Sequence, residues 1–586
     1  MNKLNNKKKE NNSSFYLPGQ EINLGSGGIF SSWNNNQSQT SGYFGKNRVN
    51  IVICCCLFAY FLVALRLFDI CILPNMNETE ERYFTAKKQS IHRTSIVDTN
   101  GNIVATSLPF IDINVNTKNI VSPRNTAMEL SRIFSNLKFE DTYKKLREKK
   151  GNFIIQKGVT PNQRAQVLAI GEPGLEAINT EKRVYPHKHL LSHVVGFTNI
   201  DNQGLSGIEK GMDEIITDTQ LPLRLTIDIG VQDTIRSILF SNMKKHSADG
   251  ATAILMNVNN GEIVSLVSLP DFNPNDITQK DVSAQFNKAT FYVYEPGSVL
   301  KIFNTAMALD SGKIRISESF DATQPLKLKA HIIRDFDPEN RWLSVEETLV
   351  HSSNIASARI ALKSGFDEQY NFLKKIKFTE RLKMEIIETA SPIVPSKREW
   401  EITDSKIATI GYGYGISVTP MHIISAFSAM INGGIYYNPT LVKSAVSNNE
   451  GVRVISDNTS KQMRKLMRAV VKKGSGKRAE IIGYDIGGKT GTSNKLAQNG
   501  KGYDKNKVMT TFVSAFPISN PQYALLVMMD NPKRSKDTSG YNNAGWNSVP
   551  TAKEIIEAVA PQLNVQANYD LDEVINNKII EAAYGR

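Results

Sequence analysis

The chain has 586 residues, 40% hydrophobic and 22% charged, with a formal net charge of +13. It is too long for one ordinary domain and too apolar to be disordered throughout, so roughly two to four cored units are expected. Basic residues are spread along the chain with no RNA or DNA module among them. The charge is therefore read as affinity for anionic envelope surfaces, and nucleic acid is excluded as a partner. The four cysteines, Cys54, Cys55, Cys56 and Cys71, all lie near the N-terminus. The rest of the chain thus has no disulfide framework, and no Cys/His group has zinc spacing, so neither metal nor cofactor is expected.

In chain order, residues 1–45 are rich in Asn, Ser and Gly and are read as a disordered cytoplasmic tail. Residues 49–65 (VNIVICCCLFAYFLVAL) form an uncharged apolar run of 17. At 1.5 Å per residue it covers about 26 Å, slightly under a bilayer core, and Arg66 could snorkel to close the gap. Lys3, Lys7, Lys8, Lys9, Lys46 and Arg48 precede it. Positive residues stay inside, so 46–73 is read as an uncleaved signal anchor, single-pass, with everything after it outside the membrane. No small-x-small cleavage site follows near Leu73 to Asn77.

The stretch RTSIVDTNGNIVATS begins at Arg93, and Asn100-Gly101 between two apolar pairs predicts a hairpin. Residues 126–150 read as helical and charged, and 183–209 as turn-rich. A second domain begins near LRLTIDIGVQDTIRSIL (223–239), a strand running into a helix. A hairpin across Asn259-Asn260-Gly261 follows within 250–270. Residues 345–430 read as mainly helical, and 509–532 as strand–turn–strand. Strands at both ends with helices between predict an α+β domain.

Ser-x-x-Lys places two side chains on one helical face, where a lysine can take the serine's proton. An ordinary lysine is protonated at neutral pH, so such a base must be buried or set beside another cation. The motif occurs at Ser135–Lys138, Ser241–Lys244 and Ser298–Lys301. The first two stand in polar stretches and read as solvated surface. The third follows Glu295-Pro296-Gly297 and precedes Ile302 and Phe303. Ser298 would then sit in a first helical turn, whose N–H groups can stabilise an oxyanion. Ser-x-Asn occurs at Ser352–Asn354 and Ser456–Asn458. Ser456 precedes a polar helix and reads as an N-cap, so Ser352 and Asn354 are taken as the functional pair. Lys489-Thr490-Gly491-Thr492, after Ile486-Gly487-Gly488, reads as an edge strand along which a peptide can lie. Its lysine and threonine hydroxyls can hold a carboxylate.

EPGSVLK, HSSN and GGKTGT, in that order, resemble the penicillin-binding protein and serine β-lactamase superfamily. RTSIVDTNGNIVA resembles the pedestal signature, with Thr94 and Thr99 replacing the usual glycine and arginine. RVYP, GLSGIE, LTID and GYGYGISVTPMHIISAFSAMINGG (411–434) are similar to class B members, and AGWNSVPTA (544–552) to the septal cell-division type (FtsI type). The resemblance implies an α+β architecture with a transmembrane anchor (46–73), a pedestal (74–223), a penicillin-binding transpeptidase domain (224–565) and a C-terminal tail (566–586). It implies a peptidoglycan D,D-transpeptidase of septal wall synthesis, in the bacterial inner membrane with its catalytic domain periplasmic. The alternatives are an elongation-specific class B transpeptidase and a D,D-carboxypeptidase. The implied partners are stem peptides on lipid-linked or nascent glycan, β-lactams, a polytopic membrane glycosyltransferase and other divisome proteins. The implied roles are Ser298 as nucleophile, Lys301 as base, Ser352 as proton relay, Asn354 as positioner and Lys489 as the group orienting Ser352. Thr490, Gly491 and Thr492 would bind substrate.

Overall fold

The computed structural model describes residues 42–72, 92–277, 282–329, 331–443, 450–497 and 502–569. It divides into two compact units, Met1–Gln89 and Ser90–Arg586. In the first, α1 (Gly42–Ile72) is helical, and its described side chains, residues 51–66, are exposed. Among the described residues, no helix is long and apolar enough to cross a membrane. The tails expected at 1–45 and 566–586 lie almost wholly outside the described residues.

The second unit opens with a five-stranded sheet. Its strands are β1 (Ile96–Val97), β2 (Ile103–Asn116), β3 (Asn152–Gln156), β4 (Leu175–Val184) and β5 (Leu223–Arg224). The predicted hairpin joins β1 to β2, with Ile96 opposite Ala105. Asp98 sets that turn, its Oδ1 accepting the N–H groups of Asn100 and Asn102 at 2.8 Å each. Burial raises the Asp98 carboxyl, but hydrogen bonds from Asn102, Asn100 and Ile229 outweigh it and hold the pKa lowered. The segment expected to be helical over 126–150 is two helices, α2 (Pro123–Ile133) and α3 (Phe139–Glu148). The chain leaves helical geometry at Phe134, whose side chain buries in the core of this lobe.

Three separate sequence motifs meet behind this sheet in one buried ionic cluster. Glu209 accepts from Arg93 Nε at 2.9 Å and from Arg183 Nε at 2.7 Å, and all three side chains are almost wholly buried. Arg93 also donates to Asp213 Oδ1 at 2.6 Å and to the carbonyl oxygens of Asn202 and Glu209. Thr94 and Thr99 are accommodated: Thr94 Oγ1 donates to Leu221 O at 3.0 Å, and Lys443 donates to Thr99 Oγ1 at 3.1 Å.

The larger lobe is built on an antiparallel sheet of β6 (Gly250–Asn257), β7 (Ile263–Leu269), β8 (Gly487–Leu496), β9 (Tyr503–Phe516) and β10 (Tyr523–Asp530), in the order β8-β9-β10-β6-β7. Alternate residues of β10 face opposite cores. Leu525, Val527 and Met529 join one cluster, while Ala524, Leu526 and Met528 join the other. A sheet buried on both faces reads as a continuous apolar run, as 524–529 does. One face is covered by α4 (Ile229–Lys245) and by a C-terminal helix from Ser548 to Val559. The other packs against the helical mass, which contains α5 (Leu300–Asp310), α6 (Val345–Val350), α7 (Asn354–Lys375), α8 (Pro420–Ile431) and α9 (Asp457–Lys473). Within the sheet β8 pairs only with β9, so its other edge faces the site described next.

Candidate active site

Gly297–Val299 form a single 3-10 turn that leads into α5, so Ser298 and Lys301 lie one turn apart. The turn is held by close backbone approaches. Gly297 N–H donates to Gly413 O at 3.0 Å, and a Cβ at Gly413 would stand 1.9 Å from Gly297 O. Gly413 also has a φ of +121°, a conformation that L side chains rarely adopt. Glu295 anchors the same loop: its Oε1 accepts from Gly415 N–H at 2.7 Å and from the Tyr503 hydroxyl at 3.1 Å. Burial pushes its carboxyl above the usual range.

Ser352 lies between α6 and α7 with a φ of +56°. For a non-glycine residue this is a strained conformation, costing on the order of 1–3 kcal/mol and held by its surroundings. Ser353, not Ser352, caps α7, its side chain accepting from Ala356 N–H. Ser352 is thereby left to face the lysines. Its Oγ accepts from Lys301 Nζ at 3.2 Å and from Lys489 Nζ at 3.1 Å. Lys301 Nζ also donates to Asn354 Oδ1 at 2.8 Å and to the carbonyl of Ser352. Lys489 Nζ also donates to Thr490 O at 3.0 Å. Ser298 is not among the partners of Lys301 here; nucleophile–base bonds are often long until substrate draws them together.

Both lysines are completely buried. Burial lowers the Lys301 pKa well below the ordinary lysine range, the neighbouring Lys489 lowers it further, and Asp335 opposes both. Burial alone holds Lys489 down to about 7. These are the two conditions that a lysine base requires. Ser298, Ser352, Asn354, Thr490 and Thr492 line one cavity of about 640 Å³. Thr490 Oγ1 is 2.6 Å from Ser475 Oγ, and Thr492 Oγ1 accepts from Ala544 N–H at 3.2 Å. Gly491 packs under the serine turn; a Cβ there would meet Pro296 O at 2.6 Å. Neither of the other Ser-x-x-Lys pairs belongs to this cavity. Ser135, Lys138, Ser241 and Lys244 are all exposed. Ser456 caps α9, its side chain accepting from Thr459 N–H at 3.2 Å.

Asp335 was not foreseen. Its carboxylate accepts from Ser353 Oγ at 2.7 Å and from the N–H groups of Asn354 and Ile355 at 2.5 and 2.9 Å. It therefore holds the start of α7. No local pattern marks it, because its partners depend on the loop folding back over the helix end. Ser475, the Thr490 partner, was missed for the same reason. Among the described residues, no group of His, Cys, Asp and Glu could hold a metal ion.

Residues 251–557 match the family model of the penicillin binding protein transpeptidase domain, and 88–219 that of the penicillin-binding protein dimerisation domain. The chain belongs to the penicillin-binding protein transpeptidase family. Among its relatives are the probable peptidoglycan D,D-transpeptidase FtsI of Caulobacter vibrioides, 30% identical over 83% of this chain and 84% of that protein. The stage V sporulation protein D of Bacillus subtilis is 29% identical over 81% of this chain and 79% of its own. The peptidoglycan D,D-transpeptidase FtsI of Escherichia coli K12 is 26% identical over 84% and 88%. Among solved structures, penicillin binding protein 3 of Mycobacterium tuberculosis complexed with aztreonam aligns with a TM-score of 0.64 at 20% identity, covering 81% of this chain and 97% of that one. A peptidoglycan synthetase of Bifidobacterium adolescentis gives 0.65 at 20% identity, covering 81% and 96%. These two proteins share the fold of this chain.

Proposed function

We propose that this chain is a septal peptidoglycan D,D-transpeptidase acting through an acyl-enzyme on Ser298. Ser298 Oγ attacks the carbonyl of the penultimate D-alanine of a stem pentapeptide, and its proton passes to the neutral amine of Lys301. Ser352 relays a proton to the departing D-alanine amine as the C–N bond breaks. Asn354 positions Lys301, and Lys489 orients the Ser352 hydroxyl. Thr490 and Thr492 hold the terminal carboxylate, with Gly491 letting the strand lie against the serine turn. Backbone N–H groups of Ser298 and Thr492 stabilise the oxyanion, one such donor being worth about 3 kcal/mol of barrier. An amine of a neighbouring stem peptide then resolves the acyl-enzyme, and β-lactams stop at the acyl stage.

The observation that carries this reading is the convergence of two buried lysines on the Ser352 hydroxyl, beside Ser298 in one cavity. Labelling with a fluorescent penicillin tests it. Ser298→Ala should abolish the label while the protein stays folded. Label kept by that variant, or mapped by mass spectrometry to Ser135 or Ser241, would overturn the assignment.

The wider reading takes 74–223 as pedestal and 224–565 as transpeptidase domain. It takes 46–73 as an anchor in the inner membrane, with the catalytic lobe periplasmic and a polytopic glycosyltransferase among its divisome partners. It rests on the apolar run 49–65 with basic flanks and on the FtsI relatives. Depletion should give filamenting cells; rounded cells would favour an elongation enzyme.

A further inference from the structure

Resting on the proposed transpeptidase reading, we infer that Arg478, stacked on Trp546 at the cavity mouth, binds a carboxylate of the acceptor stem peptide.

The Arg478 guanidinium lies 3.5 Å from the centroid of the Trp546 ring, and Tyr541 stacks on the same indole side chain with an interplanar angle of 9°. Arg478 also donates to Gly545 O at 3.3 Å, which fixes the plane of the fork. Stacking of this kind pre-orders a guanidinium without consuming its in-plane donors. Lys477 and Arg534 line the same cavity, against a single carboxylate, Asp337. Among the described residues, none of the three cations forms an ion pair. A cavity mouth with three uncompensated cations, one of them held in a planar fork, suits a carboxylate ligand.

The position of the platform says which strand supplies that carboxylate. Thr490 and Thr492, proposed to hold the terminal carboxylate of the donor, are braced by Ser475 and Ala544. Arg478 and Trp546 follow these two residues closely in the chain and line the same cavity, beside the place where D-alanine leaves. Leaving and attacking amines use the same approach to the acyl carbon, by microscopic reversibility. In deacylation the acceptor nitrogen forms the new C–N bond as the C–Oγ bond to Ser298 breaks. The amine's proton is returned to Ser298 Oγ through Ser352 and Lys301. An acceptor peptide that runs outward from the vacated D-alanine position along this wall of the cavity meets Trp546 and Arg478.

The test reads the partition of the acyl-enzyme between aminolysis and hydrolysis, a ratio independent of the acylation rate. The full chain is acylated with a thioester donor. It is then offered a tripeptide amine carrying a free carboxylate, or the same tripeptide as its carboxamide. Wild type should favour the carboxylate acceptor by about tenfold or more, the scale of a charge-assisted hydrogen-bonded pair. Arg478→Ala should partition equally with both, and Arg478→Lys should recover part of the preference. A purely structural role for Arg478 would lower both acceptors alike and overturn the inference, as would an undiminished preference in Arg478→Ala. Should Arg478→Ala fail to fold, Arg478→Gln carries the same comparison. A wild-type protein that never acylates sinks the Ser298 reading, and this inference with it.

Discussion

Lys301 and Lys489 share one acceptor, the Ser352 hydroxyl, at 3.2 and 3.1 Å. Burial disfavours the charge on both lysines, and the Lys489 charge lowers Lys301 further. The rate of β-lactam acylation should therefore rise with pH as Lys301 loses its proton. Lys489→Met removes the repelling charge, so the acidic limb should move to higher pH even as the overall rate falls. Stopped-flow acylation across pH measures this, and a limb unmoved or moved down contradicts it. Lys301→Arg, which keeps the charge but cannot act as base, should slow acylation by about 10²- to 10⁴-fold.

Asp335 acts on the same lysine with the opposite sign, since it opposes the lowering of Lys301. Asp335→Asn should move the acidic limb to lower pH. It also loses a charged acceptor for two backbone N–H groups and the Ser353 hydroxyl, at a cost of about 1–3 kcal/mol. Thermal melts and the acylation profile separate the two effects. A limb that stays in place would show that the Asp335 charge does not reach Lys301.

Much of the site was legible because its motifs combine local geometry with order along the chain. Ser298 and Lys301 need only one helical turn, and Lys489 to Thr492 need only a strand. The cap at Ser456 was legible from flanking polarity, since it precedes a polar helix, and Ser352 lies in the cavity instead. What could not be read was set by distant segments. Ser352 takes its positive φ because Ser353 caps α7 and Asp335 holds its first N–H groups. Arg93, Arg183 and Glu209 lie in three separate motifs, RTSIVDTNGNIVA, RVYP and GLSGIE, and only the fold brings them together. The break at Phe134 inside the expected helical stretch is likewise tertiary, the ring being drawn into the core of the dimerisation-domain lobe.

Ser456→Ala should cost only about 1 kcal/mol, the value of a lost N-cap, and leave acylation as it is. Ser352→Ala removes the shared acceptor of both lysines and should cut turnover far more than stability. Acylation kinetics and melting curves on the pair decide it. The reverse pattern would move the chemistry to Ser456.

Glu209→Gln should destabilise the protein by about 3–5 kcal/mol, because it leaves Arg93 and Arg183 buried with their shared countercharge gone. Its effect on the acylation rate of the protein that remains folded should be small, the cluster lying within the residues that match the dimerisation domain. Denaturant unfolding of the protein measures the loss. A variant as stable as wild type would show that water, rather than Glu209, compensates the arginines.

His193 supplies an acid-sensitive element away from the site. Its ring is fully buried, with Nε2 donating to Ala284 O at 2.7 Å and its edge against Phe272 at 5.5 Å between centroids. Burial lowers its pKa to about 4, an effect that Lys288 reinforces and that the Ala284 bond and Asp271 oppose. Unfolded, the ring titrates near 6.5 and binds more protons than the native ring at every pH between. Stability is therefore unaffected above about pH 6.5, falls as pH drops from there to about 4, and is level again below. One pH unit of separation is worth about 1.4 kcal/mol, so the full window amounts to about 3 kcal/mol. His193→Gln keeps a donor for the Ala284 carbonyl but cannot titrate, so its melting temperature should fall less steeply across that window. Parallel slopes for the two proteins would mean that His193 stays neutral in both states or protonates without cost. His422, lowered to about 4 by burial, would then be the group to replace next.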